Sequence, residues 1–201
     1  MSLNPAGGST RRRGRVLEDA LLDAAWSELV ERGYDEFTID AVAVRAGTSR
    51  AVLYRRWPGK QELVLAALKH EIGKDPVVAP DTGSLRDDVI AVLRQANKVR
   101  TGLAVQLVTQ LGGFYRQTGI SLADLSAFVP GGRNPALDEV IQRAIDRGEI
   151  HRDQVTDRIA RLPGDLFRYE LLVTLKPVSD DTIEEIVDTV FLPLLDRRAP
   201  S

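Results

Sequence analysis

The sequence predicts an all-α protein, and three observations carry that reading. Apolar residues recur at three- and four-residue spacing through almost the whole chain, the period of a helix with one buried face. Residues that cap helices (Ser, Thr, Asp and Gly) sit where those periodic runs begin and end. No segment alternates apolar and polar residues convincingly enough for a half-buried strand, and there is no internal repeat.

The first helix starts near Arg15, with Leu17, Leu21, Ala25 and Leu29 repeating every four residues, and ends at Gly33 in a left-handed cap. Tyr34 and Phe37 cross to the next element and pack beneath it. A short helix follows, with Thr38 as its N-cap, Asp40 in its first turn and Ile39, Val42 and Ala43 inward. After Ala46-Gly47, the pair Thr48-Ser49 opens another short helix, Arg50 to Arg56. Its inward residues are Val52 or Leu53, and Trp57. Pro58-Gly59 breaks it, and Gly59 caps the next helix, which Leu63, Val64, Ala67, Leu68 and Ile72 carry toward Asp75.

Pro76 to Gly83 is the expected domain boundary. Beyond it, Ser84 caps a helix with Leu85, Val89, Val92, Leu93 and Ala96 on its apolar face. Leu103 to Tyr115 reads as a further helix, broken or bent at Gly112-Gly113. Leu122 to Phe128 precedes a turn at Pro130-Gly131-Gly132. Leu137 to Ile145 is amphipathic and ends at Gly148. Val155 to Leu175 is long and bent at Pro163-Gly164. Ser179 caps the last helix, where Ile183, Ile186, Val187, Val190, Phe191 and Leu194 form a stripe. The expected organisation is a flexible basic arm over 1–14, a small domain over 15–75 and a larger one over 81–198.

Bulk composition narrows the classes. With 201 residues, 43% apolar and 28% charged, the chain is that of an ordinary globular protein. No apolar run approaches the roughly 18 residues of a membrane span, and the first ten residues lack the apolar core of a secretion signal. There is no cysteine, which excludes disulfides and thiolate metal sites and fits a reducing cytoplasm. His70 and His151 are isolated, with no metal-ligand spacing and no nucleophile nearby, so neither catalysis, a metal nor a cofactor is expected. The net charge is −2, yet the basic residues are concentrated: Arg11, Arg12, Arg13 and Arg15 in the arm, then Arg45, Arg50, Arg55, Arg56 and Lys60 in one short window. Because phosphate contacts are short-ranged in salt, a local basic face on a mildly acidic protein can still bind DNA.

The two short helices joined through Ala46-Gly47-Thr48 form a helix-turn-helix. Its second helix presents Ser49, Arg50 and Ala51 to base edges in the major groove. The run Thr38-Ile39-x-x-Val42-Ala43-x-x-Ala46-Gly47-Thr48-Ser49-Arg50-Ala51-Val52-Leu53-Tyr54-Arg55-Arg56-Trp57-Pro58-Gly59-Lys60-x-x-Leu63 resembles the tetracycline-repressor (TetR) family of transcription regulators, and the likeness covers about residues 15 to 70. It departs from the family at Thr48, where Val is frequent, at Ala51, where Gly is frequent, and at Arg56-Trp57, where His-Phe is frequent. These differences bear on the operator sequence rather than on DNA binding.

The resemblance implies about nine helices, a homodimer in the bacterial cytoplasm or on its nucleoid, and a DNA operator released when a small molecule fills the C-terminal domain. It also implies roles for residues. Thr38 and Tyr54 contact phosphate, Thr48, Ser49 and Arg50 enter the groove with Ala51 and Val52 close behind, and Lys60 anchors the following helix to the backbone. Arg55, Arg56 and the arm arginines are candidate phosphate or minor-groove contacts. In the second domain Leu103, Gln106, Leu107, Gln110, Phe114, Leu125, Phe128, Phe167 and Tyr169 are candidates for a ligand cavity, apolar with a few directing polar groups. Leu171, Leu172, Ile183, Ile186, Val187, Val190 and Phe191 are candidates for a four-helix bundle with a twofold mate. The competing readings are a helical small-molecule-binding protein or enzyme with a vestigial helix-turn-helix, and an activator or effector-blind DNA architectural protein.

Overall fold

Helix formation in this chain follows the capping residues closely. The structure, a computed structural model, describes residues 7–126 and 134–196 and contains no strand among them. Its helices are α1 (Gly7–Glu36), α2 (Ile39–Arg45), α3 (Arg50–Tyr54), α4 (Lys60–Lys74), α5 (Leu85–Gln110), α6 (Gly112–Thr118), α7 (Leu122–Ser126), α8 (Pro135–Asp146), α9 (Asp157–Thr174), α10 (Asp180–Glu185) and α11 (Leu192–Leu195). A 3-10 turn, Arg152–Gln154, precedes α9. A π-helical stretch, Ile186–Phe191, joins α10 to α11. None of the described helices is long and apolar enough to cross a membrane.

The chain divides into two compact units. Among the described residues, the first runs to Asp75 and also takes in Thr109–Ser121, and the second holds Pro76–Val108 and those from Leu122 onward. The polypeptide therefore passes between them three times, at 75/76, 108/109 and 121/122.

In the first unit α1 packs against α4, with Leu21, Leu22, Ala25, Trp26 and Leu29 of α1 and Leu63, Val64, Ala67 and Leu68 of α4 all buried. The same two helices are clasped by polar side chains. His70 Nε2 and Lys74 Nζ lie 2.9 and 2.8 Å from Asp23 Oδ1. Gly33, at φ 72°, breaks α1 so that Tyr34 and Phe37 turn into the core, where both are buried. Helix α6 completes the unit. Its Phe114 is fully buried and stands edge-on to Tyr34, with ring centroids 5.3 Å apart at 81°. A Cβ on Gly113 would lie 1.9 Å from Asp35 Oδ1, so a larger residue there displaces the Asp35 carboxylate.

Three expectations change here. The first helix begins at Gly7 rather than near Arg15, so Arg11, Arg12, Arg13 and Arg15 lie on a helix and not in an irregular arm over 7–14. Arginine is among the better helix formers, and a helix already packed from Leu21 onward extends upstream without a new nucleus. Leu17 is 43% exposed, so the inward register of α1 starts a turn later, at Leu21. Leu85 to Gln110 is one uninterrupted helix of 26 residues, and the break falls at Leu111 with α6 beginning at Gly112.

The second unit packs α5, α8, α9 and the α10–π–α11 rod around Leu85, Val89, Val92, Leu93, Leu137, Val140, Ala144, Phe167, Ile183, Val187 and Phe191. The first amide of α5, on Leu85, donates to the Glu149 carboxylate at 2.8 and 3.1 Å, which satisfies a donor that a helix start leaves open. Glu149 is brought there by the turn that ends α8. Gly148, at φ 72°, lets the Glu149 amide bond the Ala144 carbonyl and its own amide bond that of Ile145. Asn97 bridges α5 to the loop before α10, donating to the Val178 carbonyl and accepting from its amide at 2.8 and 2.9 Å. Pro163 lies inside α9 and is buried.

Candidate nucleic-acid interface

The candidate site is built on α2, the turn after it and α3. Thr38 is the N-cap of α2, its hydroxyl accepting from the Ala41 amide at 3.1 Å. At the other end Gly47 takes φ 61°. The Thr48 amide then reaches the Ala43 carbonyl and the Gly47 amide that of Val44, the double closure that terminates a helix through a left-handed residue. Ser49 opens α3 in extended conformation without a side-chain capping bond. Leu53, fully buried, and Trp57, 8% exposed, turn α3 inward. With Leu53 inward, Ser49, Arg50, Ala51, Tyr54 and Arg55 are exposed, and Thr48, Val52 and Arg56 are half-buried.

The pair of helices is braced against α1 by charge. Glu28 is buried and receives Arg32 Nε at 2.7 Å and Arg45 Nε at 3.0 Å. Arg45 also forks onto Glu31, with Nη1 to Oε1 at 2.8 Å and Nη2 to Oε2, and its guanidinium holds the Glu31 carboxyl below the usual carboxylate range. Arg45 thus spends its charge on fixing α2 to α1.

Lys60, the first residue of α4, lies with Nζ 4.2 Å from the Tyr34 ring centre and 6.0 Å from that of Phe37. It also donates to the Asp35 carbonyl at 3.4 Å. Burial lowers the pKa of this ammonium and raises that of the Tyr34 hydroxyl. The lysine expected from the resemblance as a backbone anchor is here engaged within its own unit.

One partner at this face carries no signal in the sequence. Asp40 was readable as a first-turn acid of α2, favourable to the helix dipole; in the structure its Oδ2 also accepts from Arg50 Nη1 at 3.2 Å. The ten-residue separation crosses a turn, so no helical spacing signals the pair.

The cavity candidates are divided between the two units. Gln110 and Phe114 belong to the first unit, where Phe114 packs on Tyr34. Tyr169 is 61% exposed, outward from α9. Leu103, Gln106 and Leu107 are half-buried on α5, where Ala104 takes the inward position. Leu125 and Phe167 are buried, Phe167 within the main core, and Phe128 lies outside the described residues. The bundle candidates lie mostly inward. Leu171, Ile183, Ile186, Val187 and Phe191 are at most 6% exposed because they fill the core of their own unit, leaving Leu172 and Val190 half-buried.

An N-terminal helix-turn-helix with an exposed, arginine-bearing second helix, followed by a separate helical unit, defines the class of DNA-binding transcription regulators. Residues 21–67 match the family described as bacterial regulatory proteins, tetR family, and residues 79–190 match the tetracyclin repressor-like C-terminal domain. The chain is 36% identical over 198 residues to an uncharacterized HTH-type transcriptional regulator of Mycobacterium tuberculosis, spanning 90% of this chain and 88% of that one. It is 32% identical over 185 residues to the DNA-binding transcriptional repressor TetR of Mycobacteroides abscessus, spanning 91% and 96%. Among solved structures, a TetR family transcription regulator superposes with a TM-score of 0.63 at 26% identity, covering 92% of this chain and 99% of that chain. The chain belongs to the TetR family.

Proposed function

We propose that the protein is a repressor that binds a near-palindromic operator as a homodimer and leaves it when a small molecule occupies the second unit. The observation that carries this reading is the outward display of Ser49, Arg50, Ala51, Tyr54 and Arg55 on and beside α3, held in place by the Gly47 turn and the buried Leu53. In the complex the N-terminal end of α3 enters the major groove. Arg50 reads a base edge, while Thr38, Tyr54 and Arg55 contact phosphates and set the register. The repressor name of the relative at 32% identity supports the sign of regulation.

A twofold dimer places two such helices about one DNA turn apart, roughly 34–36 Å. The exposed apolar residues Tyr169 and Val173, one turn apart on α9, support that helix as the dimer contact. Release requires the effector to favour a dimer whose heads are wrongly spaced. Operator affinity then falls about tenfold for each 1.4 kcal/mol of preference for that state. Continuity of chain supports the route, since α5 runs out of the second unit and hands directly to α6, which is part of the first.

Selection of bound duplexes from a random-sequence pool, at two salt concentrations, tests the reading. Enrichment of an inverted repeat is the expected result. Binding that is absent even at low salt removes it. With the operator in hand, Tyr54→Phe lowers affinity for all sequences alike, whereas Arg50→Ala changes which sequences are preferred. A reporter carrying that operator separates repression from activation.

A further inference from the structure

We propose that Asp40 is a positioning residue for base recognition: it holds the Arg50 guanidinium in the orientation in which α3 meets a base. The inference rests on the reading of α3 as the helix that enters the groove.

The two side chains come from different helices, and Arg50 Nη1 donates to Asp40 Oδ2 at 3.2 Å. They are 70% and 61% exposed, so their pairing contributes little to folding. The backbones that carry them are nevertheless fixed. Thr38 caps α2 at the residue pair before Asp40, the Gly47 turn closes α2 and leads into α3, and Val42 and Leu53 are both fully buried. A rigid frame therefore presents a carboxylate to an otherwise solvent-facing arginine.

The bond uses Nη1 alone. The edge formed by Nε–H and Nη2–H keeps the fork geometry that pairs with O6 and N7 of a guanine. An arginine already held loses less rotamer freedom when it meets the base. The carboxylate has a second effect of opposite sign. It stands beside the DNA-facing helix and repels phosphate, which weakens binding to sequence in general. Asp40 thus raises discrimination at the expense of bulk affinity, and its removal separates the two quantities.

The test uses the full-length protein and the duplex recovered by random selection. Comparing the sequences selected by the parent and by Arg50→Ala identifies the base pair that Arg50 reads. Dissociation constants are then measured on that duplex, on one altered at that base pair and on a random duplex. The proteins are the parent, Asp40→Asn, Arg50→Ala and the double variant. Asp40→Asn is expected to bind the random duplex about two- to threefold more tightly, having lost a phosphate-repelling charge. It is expected to discriminate at the Arg50 base pair about three- to tenfold less, a fraction of what a bidentate arginine–guanine pair supplies. In the Arg50→Ala background the same substitution leaves discrimination unchanged, because no guanidinium remains to be held. Full discrimination by Asp40→Asn overturns the proposal. So does a uniform loss on every duplex, which marks a merely structural role, or an equal change in both backgrounds. Failure of the parent itself to select any duplex removes the underlying reading, and is seen before any variant is compared.

Discussion

The Lys60 ammonium sits over the face of Tyr34, 4.2 Å from the ring centre, and so ties the start of α4 to the residue at which α1 turns into the core. A half-buried cation over a tyrosine face contributes about 0.5–2 kcal/mol. Lys60→Met, which keeps the stem and removes the charge, is expected to lower the unfolding free energy measured by urea titration by an amount in that range, whereas Lys60→Arg retains most of the stability. Equal stability of parent and Lys60→Met contradicts a structural role for this contact and returns the residue to phosphate binding alone.

Tyr34 is also the aromatic against which α6 is seated. Phe114 is fully buried against it, and truncating a buried phenylalanine costs about 3–5 kcal/mol. Phe114→Ala is therefore expected to be strongly destabilised in denaturant titration, and Phe114→Leu much less so. A mild Phe114→Ala defect implies that α6 is not an integral part of the first unit.

Local chemistry made most of this first unit legible. Thr38, Gly47, Ser49 and Gly59 mark helix ends because cap and turn preferences are properties of a few adjacent residues. Pairings that cross between helices were not legible, since no spacing within one helix signals them. Asp40 with Arg50, Glu28 with Arg45 and Lys60 with Tyr34 are all of this kind. The α9 and α10 stripes were legible as apolar but not as inward or outward. A helix with one apolar face looks the same whether that face meets its own core or a second chain. Phe114 was misplaced for a related reason: its burial followed from its type, but its partner Tyr34 is eighty residues away.

The Arg45 brace predicts a defect that reaches DNA binding without touching DNA. Arg45→Ala leaves the buried Glu28 carboxylate with Arg32 alone. Because Arg45 is partly exposed and one partner remains, the expected loss of stability is moderate, below that of orphaning a fully buried charge. Thermal unfolding measures it. Operator affinity at a temperature where the variant is fully folded is expected to drop only modestly; an abolished affinity with unchanged stability places Arg45 on the DNA instead.

Acid sensitivity is expected at the clasp between α1 and α4. Lys74, and then His70, hold the Asp23 carboxyl below its ordinary value of 3.8. The folded state therefore binds fewer protons than the unfolded chain between that value and the lower folded one. The stabilisation is complete above 3.8 and is lost as pH falls through the folded value. Asp23→Asn is expected to flatten the decline in urea midpoint between about pH 5 and about pH 3 relative to the parent. A decline of unchanged steepness assigns the acid response to other carboxylates, with Asp188, held low by Arg86, the next to replace.

The proposed dimer contact and the core of the second unit make opposite predictions for neighbouring helices. Tyr169 and Val173 are 61% and 64% exposed, so replacing both by Asp is expected to leave the fold intact. Two carboxylates cannot be buried unpaired in an apolar contact, so the same change is expected to convert a sedimenting dimer to a monomer. A monomer contacts only one half-site, and operator binding falls accordingly. Ile183 and Val187, by contrast, are fully buried within their own unit. Ile183→Ala is expected to cost about 2–5 kcal/mol in stability while any folded fraction still dimerises. If the Tyr169→Asp, Val173→Asp variant remains dimeric, α9 is not the contact. If Ile183→Ala yields a stable, folded monomer, the stripe on α10 faces the partner after all.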